Sequence, residues 1–558
     1  MSFLNKIIDR RLNSERNIKW SNLLCKMKPG DKRFWSLSRS LRGKRKNQIC
    51  TLEDGQDKLI ADREKAEKLA NTFAKAHYIT GNFSHPSESK INATVNSLKL
   101  ETPNSEDAQL ITVDELKSLL SKLKPSKSPG LDKVSNILLK NIPEKAVNIL
   151  LNIFNSCIRL NYFPQAFKKA KVVAVPKPNT PKNNPNSYRP ISLLSNIGKV
   201  FEKLIHHRIN DFVSSHGLVA REQFGFKKDH STIHQIMRIK NKIISNKRNR
   251  ISTGIILLDI EKAFDTVWHN GLIFKLLSMK MPKYLCKIIA DFLENRTFTV
   301  TVNSSLSSTK DIPAGLPQGS ILSPLLYTLF TSDFKAPKLT DVAYYADDTA
   351  LISSSKVTSA LLKKMEKSLV SCNKYFTKWK IKINHAKTQA IIFPYNKSPK
   401  RSPRRNLVFN TDIITLQSQV KYLGVIFDQK LLFKQHIQIA CDKAIKSFRA
   451  LWPLLNRRSA LNQENKNLLY KCVIRPTLSY GSPVWYKAAK CHLKKMQIIQ
   501  NKCLKIINNR HWRYHTRELH DETGYELFSE FIERQNYNFF DKIRNSSYAI
   551  IRECQELI

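Results

Sequence analysis

Apolar residues recur at helical or strand spacing along most of the chain beyond residue 110. A helix is predicted over about 111–123, where a Thr or Asp cap precedes the apolar positions and a segment with two prolines and a glycine, 125–130, ends it. A long helix is predicted over 135–160. The short β-branched run 171–175 predicts a strand that Pro176 ends. The pattern therefore predicts a folded protein of mixed helices and strands.

Two further apolar stretches each end at acidic residues. The continuous apolar run Gly254–Leu258 is typical of a strand buried on both faces, and Asp259 follows it directly. A helix is predicted to begin at 263–265. Two apolar arms flank the pair Asp347 and Asp348, which predicts a hairpin with both aspartates at its turn. The alternative is an ordinary turn or a salt-bridged surface pair.

A loop precedes this hairpin and an amphipathic helix follows it. Residues 313–319 contain two prolines and two glycines, which predicts a tight loop that lets the backbone approach a ligand before an apolar helix begins. A simple loop-to-helix junction is the alternative. The helix after the hairpin is predicted to pack one apolar face on a sheet. That face consists of Leu361, Met365, Leu369, Cys372, Phe376 and Trp379.

Charge adds the strongest constraint on partners. The 558 residues include 94 Lys and Arg against 45 Asp and Glu, a formal net charge of +49. A polyanion would relieve the resulting self-repulsion, so nucleic acid is the expected partner, with an anionic membrane surface as the weaker alternative. No apolar run of about 18 residues occurs and no signal peptide is evident, so we expect a soluble intracellular protein without a membrane partner. The ten scattered cysteines favour buried thiols over a disulfide framework.

Several basic stretches are less specific. Residues 1–109 are basic and polar, with a helix predicted over 61–77, and are interpreted as an extension. Segments 240–250 and 398–405 are rich in Lys and Arg, for which solvated loops are the plain interpretation. Residues 494–516 interleave lysines with aromatic residues, which suits contact with a nucleic-acid backbone and stacking on a base. Zinc binding by Cys491, Cys503, His511 and His515 is disfavoured, because their spacing matches no common zinc knuckle.

The acidic positions suggest metal-assisted phosphoryl transfer. Carboxylate oxygens are ligands that Mg²⁺ prefers, and such sites leave room for substrate phosphates and water. Two ions about 3.5–4 Å apart can clamp the attacking and leaving oxygens of an in-line displacement. Asp259, Asp347 and Asp348 could form such a site if the strand end and the hairpin tip meet.

With these motifs in order, the sequence over roughly 110–530 resembles the reverse transcriptases of non-LTR (LINE-type) retrotransposons, most closely the jockey-like group. The matching segments are Tyr188–Ser195 (fingers motif), Gln223–Thr232 (the block that follows it), Leu258–Asp265 (motif A), Gly315–Gly319 (motif B), Tyr345–Asp348 (the YxDD box of motif C), Asn384–Thr388 (motif D) and Tyr422–Val425 (motif E).

The resemblance implies a role for each matching residue. Asp259, Asp347 and, less directly, Asp348 would bind two Mg²⁺ ions, and Phe264 would be the aromatic steric gate that selects deoxynucleotides. Lys387 would protonate the leaving pyrophosphate, or merely screen phosphate charge. The other implied contacts are Gln318 in the nucleotide pocket, Arg189 and Lys177 on the triphosphate, and Tyr422, Leu423 and Gly424 as the primer grip.

The implied fold class is an α/β (α+β) right-hand polymerase. A basic extension (1–109) would precede fingers and palm (110–430, core about 170–428) with an antiparallel palm sheet. A helical thumb (431–510) and a helical basic tail (511–558) would follow.

Expected partners are an RNA template, a DNA primer or target, dNTPs and the element RNA in a ribonucleoprotein that assembles in the cytoplasm and acts in the nucleus. The family usually carries an apurinic-type endonuclease upstream, and nothing in residues 1–100 could fold as one. A truncated copy, a partial gene model and one product of a split frame all stay open as explanations, so target nicking in cis is in doubt and a separate endonuclease is one possible partner.

Two other functions remain open from the sequence. A truncated or domesticated relic could bind RNA without synthesising DNA, and the charge would satisfy that role equally well. An RNA-dependent RNA polymerase would share the palm and the paired aspartates. Phe264 argues against the RNA polymerase, because such enzymes need a polar residue there to accept the ribose hydroxyl.

Overall fold

A computed structural model gives the arrangement of these elements. It describes residues 2–43, 49–55, 57–79, 83, 85–102, 108–178, 180–338, 340–396, 406–409 and 412–555. The predicted loop at 398–405 lies outside the described residues.

A four-stranded antiparallel sheet forms the centre of the molecule. Its strands, in spatial order, are Gln389–Phe393, Ser252–Leu258, Asp348–Ser355 and Thr340–Tyr345. The strand Ser252–Leu258 is buried almost throughout, as its uninterrupted apolar run predicts. The last two strands form the predicted hairpin, with Asp348 paired to Tyr345. Asp259, Asp347 and Asp348 lie together at one end of these strands, and we call this end of the sheet the acidic edge.

Helices cover both faces of the central sheet. The helix Thr358–Lys378 packs on one face with the predicted apolar residues buried. It approaches so closely that a Cβ on Gly254 would lie 2.3 Å from the sulfur of Met365. The helix Thr232–Arg248 packs on the other face. The sheet is thus buried between two helical layers, each with its own hydrophobic core.

A second, mixed sheet stands beside the first. Its strands, in order, are Tyr188–Leu193, Lys169–Pro176, Thr297–Val302 and Ser305–Leu306, with Lys310–Asp311 paired to the third. The predicted strand at 171–175 is the centre of Lys169–Pro176. The helix Asp62–Ala74 packs on this sheet, so part of the N-terminal extension belongs to its core.

The rest of the fold before residue 430 is mainly helical. The other helices are Ser2–Cys25, Lys32–Leu41, Lys75–His77 (3-10), Glu88–Leu100, Val113–Ser121, Asn136–Lys140, Glu144–Arg159, Gln165–Lys168, Pro185–Ser187 (3-10), Asn196–Ser215, His269–Ser278, Lys283–Leu293 and Ser323–Thr331. Three small hairpins pair Leu52–Asp54 with Asp57–Leu59, Asn406–Phe409 with Asp412–Thr415, and Gln419–Tyr422 with Val425–Asp428.

From residue 434 the described chain is helical. Its helices are Lys434–Ala450, Trp452–Leu455, Gln463–Leu469, Tyr470–Ile474 (π), Arg475–Ser479, Ser482–Trp485, Lys490–Ile507, Thr516–Thr523, Phe528–Arg544 and Ala549–Arg552. They share a core with Leu24, Met27 and Phe34 from the N-terminal extension. The prediction of a basic tail is wrong, because residues 511–558 contain six Lys and Arg against nine Asp and Glu.

Three local predictions are also wrong. The long helix at 135–160 is two helices, Asn136–Lys140 and Glu144–Arg159, because Pro143 lies between them and cannot donate a helical hydrogen bond. The basic segment 240–250 is not a loop but lies mostly in the helix Thr232–Arg248. Residues 261–266 form turns, and the next helix begins only at His269.

The described residues contain no helix with the length and apolarity needed to span a bilayer. All ten cysteines are free, and six of them are buried. The expected mixed helix-and-sheet fold with an antiparallel central sheet is confirmed.

Candidate active site

The strand register brings the three predicted acidic residues to one edge. Leu258 pairs with Thr349 across the central sheet. Asp259 and Asp348 occupy the next positions beyond that pair, and Asp347 lies in the tight turn beside them. Ala346 completes this turn with a left-handed φ of 58°, a conformation that costs energy for a residue other than glycine. The acidic edge therefore gathers the carboxylates that the sequence had placed far apart along the chain.

The charges at this edge interact. Burial raises the pKa of Asp259, the Lys387 ammonium lowers it, and the Asp347 and Glu261 carboxylates raise it. Asp348 as a whole residue is exposed, but protein atoms surround much of its carboxyl group. This burial, together with the charges of Asp347 and Asp259, raises the pKa of Asp348 to about 6. Burial is the larger cause of both raised pKa values, and repulsion between the neighbouring carboxylates adds to it.

The acidic edge suits a cation by its chemistry. Among the residues that the structure describes, no three His, Cys, Asp or Glu side chains are gathered into a ready metal site. The donors are hard carboxylate oxygens, however, and their mutual repulsion is what a bound divalent cation would relieve. Asp259, Asp347 and Asp348 thus fit Mg²⁺ by donor type and by charge.

Lys387 is held beside the first aspartate. The backbone N–H of Asn384 donates to the carbonyl oxygen of Asp259 at 2.8 Å, which ties the segment carrying Lys387 to the strand end. The Lys387 Nζ lies 4.0 Å from an Asp259 carboxylate oxygen, and 71% of its side chain is exposed. Lys387 can therefore reach a ligand at the acidic edge without leaving its position.

Positive charge collects next to the acidic edge. Burial lowers the pKa of Lys177, and the positive charges of Lys387, Arg189 and Lys262 lower it further. The Lys177 Nζ donates to the carbonyl oxygen of Asn186 at 2.8 Å. The structure thus brings the two predicted triphosphate ligands, Lys177 and Arg189, near Lys387 and adds Lys262, which sequence reasoning missed. Lys262 could have been noticed as the basic residue between Asp259 and Phe264.

The predicted nucleotide-pocket residue Gln318 is fixed by a buried aspartate. Its side-chain amide donates to an Asp265 carboxylate oxygen at 2.8 Å. Burial raises the pKa of Asp265, and the charge of His77, the Gln318 hydrogen bond and Lys262 oppose that rise. Gly315, with φ of 92°, lies so close that a Cβ there would be 2.3 Å from the Asp265 carbonyl oxygen. The glycine is therefore needed for the loop to reach this position.

His77 supports the same loop from the N-terminal extension. Its Nδ1 lies 3.2 Å from the carbonyl oxygen of Asp265 and 3.1 Å from that of Ala314. Because carbonyl oxygens only accept, Nδ1 carries the proton. Sequence reasoning missed His77, since it lies 188 residues from Asp265 and no motif surrounds it.

The predicted steric-gate residue has a fixed ring. Phe264 stacks on Tyr327, with ring centroids 4.6 Å apart and planes 22° from parallel. Phe226 meets it edge-on at 6.1 Å. Aromatic neighbours on two sides restrict how far the Phe264 ring can move.

The predicted primer grip is a tight hairpin turn. Tyr422 is buried, and Leu423 and Gly424 have φ values of 44° and 88°. The Tyr480 hydroxyl donates to the Leu423 carbonyl oxygen at 2.7 Å. A residue between two of the C-terminal helices thereby fixes this turn.

Gln223 clamps the turn of the acidic hairpin, a role that the sequence did not indicate although Gln223 opens one of the matching segments. Its side-chain oxygen accepts from the backbone N–H of Gly225 at 2.7 Å and from that of Ala346 at 3.0 Å. The side chain is only 3% exposed. A Cβ on Gly225 would lie 2.1 Å from the Ala346 nitrogen, so the two backbones are in direct contact. This contact holds the strained turn that presents Asp347.

A buried glutamate holds the other end of the 313–319 loop. Glu202, 1% exposed, accepts from the Ser320 hydroxyl and the Ile321 N–H, both at 2.6 Å. Burial raises its pKa, and these hydrogen bonds and the Arg296 charge oppose that rise. Glu202 lies in the helix Asn196–Ser215, so this helix positions the loop that carries Gln318.

Comparison of the sequence with known proteins identifies the family to which this chain belongs. Residues 175–427 match the family model described as reverse transcriptase (RNA-dependent DNA polymerase). The chain is similar to a probable RNA-directed DNA polymerase from transposon BS of Drosophila melanogaster, with 31% identity over 531 residues, 93% of this chain and 58% of the relative. It is also similar to the RNA-directed DNA polymerase from mobile element jockey of Drosophila funebris, with 34% identity over 465 residues, 82% of this chain and 50% of the relative.

The jockey polymerase of Drosophila melanogaster shows 35% identity over 418 residues, 73% of this chain and 45% of the relative. The chain thus spans about half the length of the curated relatives it matches. The family resemblance seen in the sequence is confirmed.

Proposed function

We propose, from the premise that this chain carries a reverse transcriptase domain of the kind encoded by jockey-like non-LTR retrotransposons, that it is an RNA-directed DNA polymerase. The observation that carries the proposal is the register that sets Asp259 beside Asp347 and Asp348, next to a cluster of positive side chains. In the reaction, a primer 3′-hydroxyl attacks the α-phosphorus of a dNTP, a new P–O bond forms and pyrophosphate leaves.

The acidic edge is proposed to hold two Mg²⁺ ions through Asp259, Asp347 and Asp348. When bound, such ions stabilise the attacking and leaving oxygens of an in-line displacement. The protein's contribution is to keep three carboxylates together despite their repulsion, with the strand register and the Gln223 hydrogen bonds fixing their backbones.

The positive cluster is proposed to bind the triphosphate. Arg189 can form paired hydrogen bonds to phosphate oxygens, whereas Lys177 and Lys262 act as point charges. Lys387 is proposed to donate a proton to pyrophosphate as it leaves, with charge screening alone as the alternative role.

Phe264 and Gln318 are proposed to shape the sugar pocket. The Phe264 ring, held by Tyr327, would clash with a ribose 2′-hydroxyl and so favour dNTPs. The Gln318 amide is held by Asp265, which fixes its orientation toward the nucleotide.

The larger assignments follow from this core. We assign fingers and palm to 110–430, a helical thumb to 431–510, a helical tail to 511–558 and an extension to 1–109. Tyr422, Leu423 and Gly424 would hold the primer end. RNA template, DNA primer and dNTPs are the proposed ligands, in target-primed synthesis within a nuclear ribonucleoprotein supplied with an endonuclease.

Primer extension on an RNA template tests the activity. Purified full chain with Mg²⁺ and dNTPs should extend the primer, and the double substitution Asp347→Asn with Asp348→Asn should abolish extension while RNA binding persists. Folded protein without activity would instead support a nucleic-acid-binding relic.

Competition between dNTPs and rNTPs tests the sugar pocket. The unmodified chain should prefer dNTPs, and Phe264→Ala should raise rNTP incorporation by removing the ring from the 2′ position. A preference for rNTPs in the unmodified chain would identify an RNA polymerase instead.

A further inference from the structure

A groove of about 830 Å³ lies between the N-terminal helix Ser2–Cys25 and the C-terminal helices. We call it the N-terminal groove; its lining includes Asn17, Trp20, Trp452, Asn456, Arg457 and Arg458. The helix Lys434–Ala450 separates this groove from the hairpin proposed to grip the primer: the hairpin precedes the helix, and the groove lies at its other end. The 17 residues of the helix span about 25 Å at 1.5 Å per residue. The groove is therefore separate from the acidic edge.

The two walls of the groove are joined by one buried and one exposed hydrogen bond and by apolar packing. The Asn465 side-chain amide, which is fully buried, donates to the Met27 carbonyl oxygen at 2.9 Å. The Cys25 thiol donates to the Ala460 carbonyl oxygen at 3.5 Å. Leu24 and Met27 belong to the same hydrophobic core as the C-terminal helices. These contacts hold the N-terminal helix in place against the loop that forms the other wall.

The loop carrying the arginines is also fixed. The Lys466 Nζ, in a side chain only 5% exposed, donates to the carbonyl oxygens of Asn456 at 3.0 Å and Ser459 at 3.2 Å. These two hydrogen bonds from a buried lysine fix the conformation of the backbone between Asn456 and Ser459. The exposed side chains of Arg457 and Arg458 therefore project from an ordered loop.

The groove chemistry suits unpaired nucleotides. Trp452 is 47% exposed, and its ring rests edge-on against Phe448 at 5.9 Å. The lining has no acidic residue, and among the described residues neither Arg457 nor Arg458 pairs with a carboxylate. Exposed indole rings beside unpaired arginines and side-chain amides can stack on bases, neutralise phosphates and bond to base edges.

The same chemistry continues beyond the groove. Arg457 donates to the carbonyl oxygen of Arg510. Two residues further on, Trp512 is 70% exposed, with the Arg513 guanidinium 4.7 Å from its ring centre. The groove thus opens onto a second exposed indole with its own cation.

We infer that the N-terminal groove binds single-stranded RNA outside the catalytic cleft. Stacking on Trp452 requires an unpaired base, which excludes a duplex. The Asn456 amide nitrogen already donates to the Trp452 carbonyl oxygen at 2.8 Å, so the Asn456 side-chain oxygen and the Asn17 side-chain amide are the partners offered to a ribose 2′-hydroxyl. This inference does not rest on the proposed polymerase activity, because binding is measured without synthesis.

Equilibrium binding of a fluorescent 20-nucleotide unstructured RNA to the full chain tests this inference. Trp452→Ala should weaken binding about tenfold through lost stacking, and Trp452→Phe should restore most of it. Arg457→Ala with Arg458→Ala should weaken binding and reduce the slope of log K against log salt by about 1.4, at about 0.7 per phosphate contact. Thermal unfolding should show that each variant remains folded.

A matched pair of exposed cations on a helix that does not line the groove provides the control. Lys145→Ala with Arg159→Ala removes the same charge and should leave most RNA affinity intact. Unchanged RNA binding in Trp452→Ala would overturn the proposal, as would an equal loss in the control pair. Equal affinity for DNA of the same sequence, lost equally in Trp452→Ala, would overturn the assignment to RNA.

Discussion

At Asp348, burial and two neighbouring carboxylates raise the pKa from 3.8 to about 6. A bound Mg²⁺ needs the deprotonated form, so protons compete with the metal as the pH falls below about 6. We expect the Mg²⁺ affinity to weaken markedly between pH 7.5 and pH 5, and Asp348→Asn to bind more weakly with a flatter pH dependence. Calorimetry across this range measures the affinity. Equal affinity at both ends would contradict the assignment of Asp348 to the metal site.

The same pKa has an effect on the metal-free protein. A carboxyl whose folded-state pKa is raised holds its proton more tightly in the folded state than in the unfolded chain. Its contribution to stability is therefore complete below pH 4 and is lost as the pH rises through about 6. Added Mg²⁺ should reverse that loss, which thermal unfolding with and without the metal would show.

Gln223 tests whether the acidic turn must be held. Gln223→Met keeps the size but leaves the N–H groups of Gly225 and Ala346 without their acceptor. We expect kcat to fall roughly ten- to hundredfold, the range seen when a residue that supports a metal ligand is lost, with little change in KM for dNTP. Gln223→Glu keeps the accepting oxygen and should restore part of kcat.

A second buried glutamine serves as the control for Gln223. Gln500, 1% exposed, accepts from the Tyr470 hydroxyl at 2.5 Å and lies among the C-terminal helices. Gln500→Met should lower stability without the selective loss of kcat. A similar kcat in Gln223→Met and Gln500→Met would mean that the turn does not depend on its clamp.

Between elements, the backbone of Gly225 lies directly against the acidic hairpin. A Cβ there would meet the Ala346 nitrogen at 2.1 Å, whereas a Cβ on Gly30 would have nothing within 4 Å. Neither glycine has a left-handed φ, so Ala at both positions isolates the contact. We expect Gly225→Ala to destabilise by about 1–3 kcal/mol and reduce activity. Gly30→Ala should be neutral or slightly stabilising in denaturant unfolding. Equal effects would show that the hairpin shifts freely.

The local pattern of apolar and polar residues was enough to predict those helices and strands whose burial follows from their own sequence. The strand Ser252–Leu258 and the hairpin at Asp347 and Asp348 were recognisable because apolar runs of strand length end at charged residues. The helix Thr232–Arg248 was misjudged at its basic end because distant partners bury its polar side chains. Asn246 donates to Thr253 and Ser354, and Asn241 donates to the carbonyl oxygen of Gln555.

The candidate site shows the same division. Motifs gave roles to its carboxylates and to Phe264, but gave none to the residues that hold them in place, although Gln223 lies in a matching segment. Gln223 and Ala346 are 123 residues apart, and no local pattern marks such a pair. Supporting contacts of this kind become visible only once the chain is folded.

Across the whole molecule, the positive charge is unevenly spread. Residues 511–558 are net acidic in a chain of net charge +49, so this segment is a poor candidate for general binding to phosphates. Its end packs instead on the segment that carries the Gln223 clamp. Cys554 is fully buried with its thiol 3.2 Å from the His234 carbonyl oxygen, and Arg221 pairs with Glu553 at 2.5 Å.

A chain ending at Asn545 tests whether this return contact supports the active site. It would lose the buried Ile550, Ile551 and Cys554 and the hydrogen bonds from Asn241. We expect the midpoint of thermal unfolding to fall by a few degrees, amide hydrogen exchange in the helix Thr232–Arg248 to become faster, and primer extension to decrease. Removal of residues 2–12, whose described side chains are exposed, is the control and should leave exchange in that helix unchanged. Unchanged exchange in the shortened chain would show that the C-terminal segment packs on the helix Thr232–Arg248 without stabilising it.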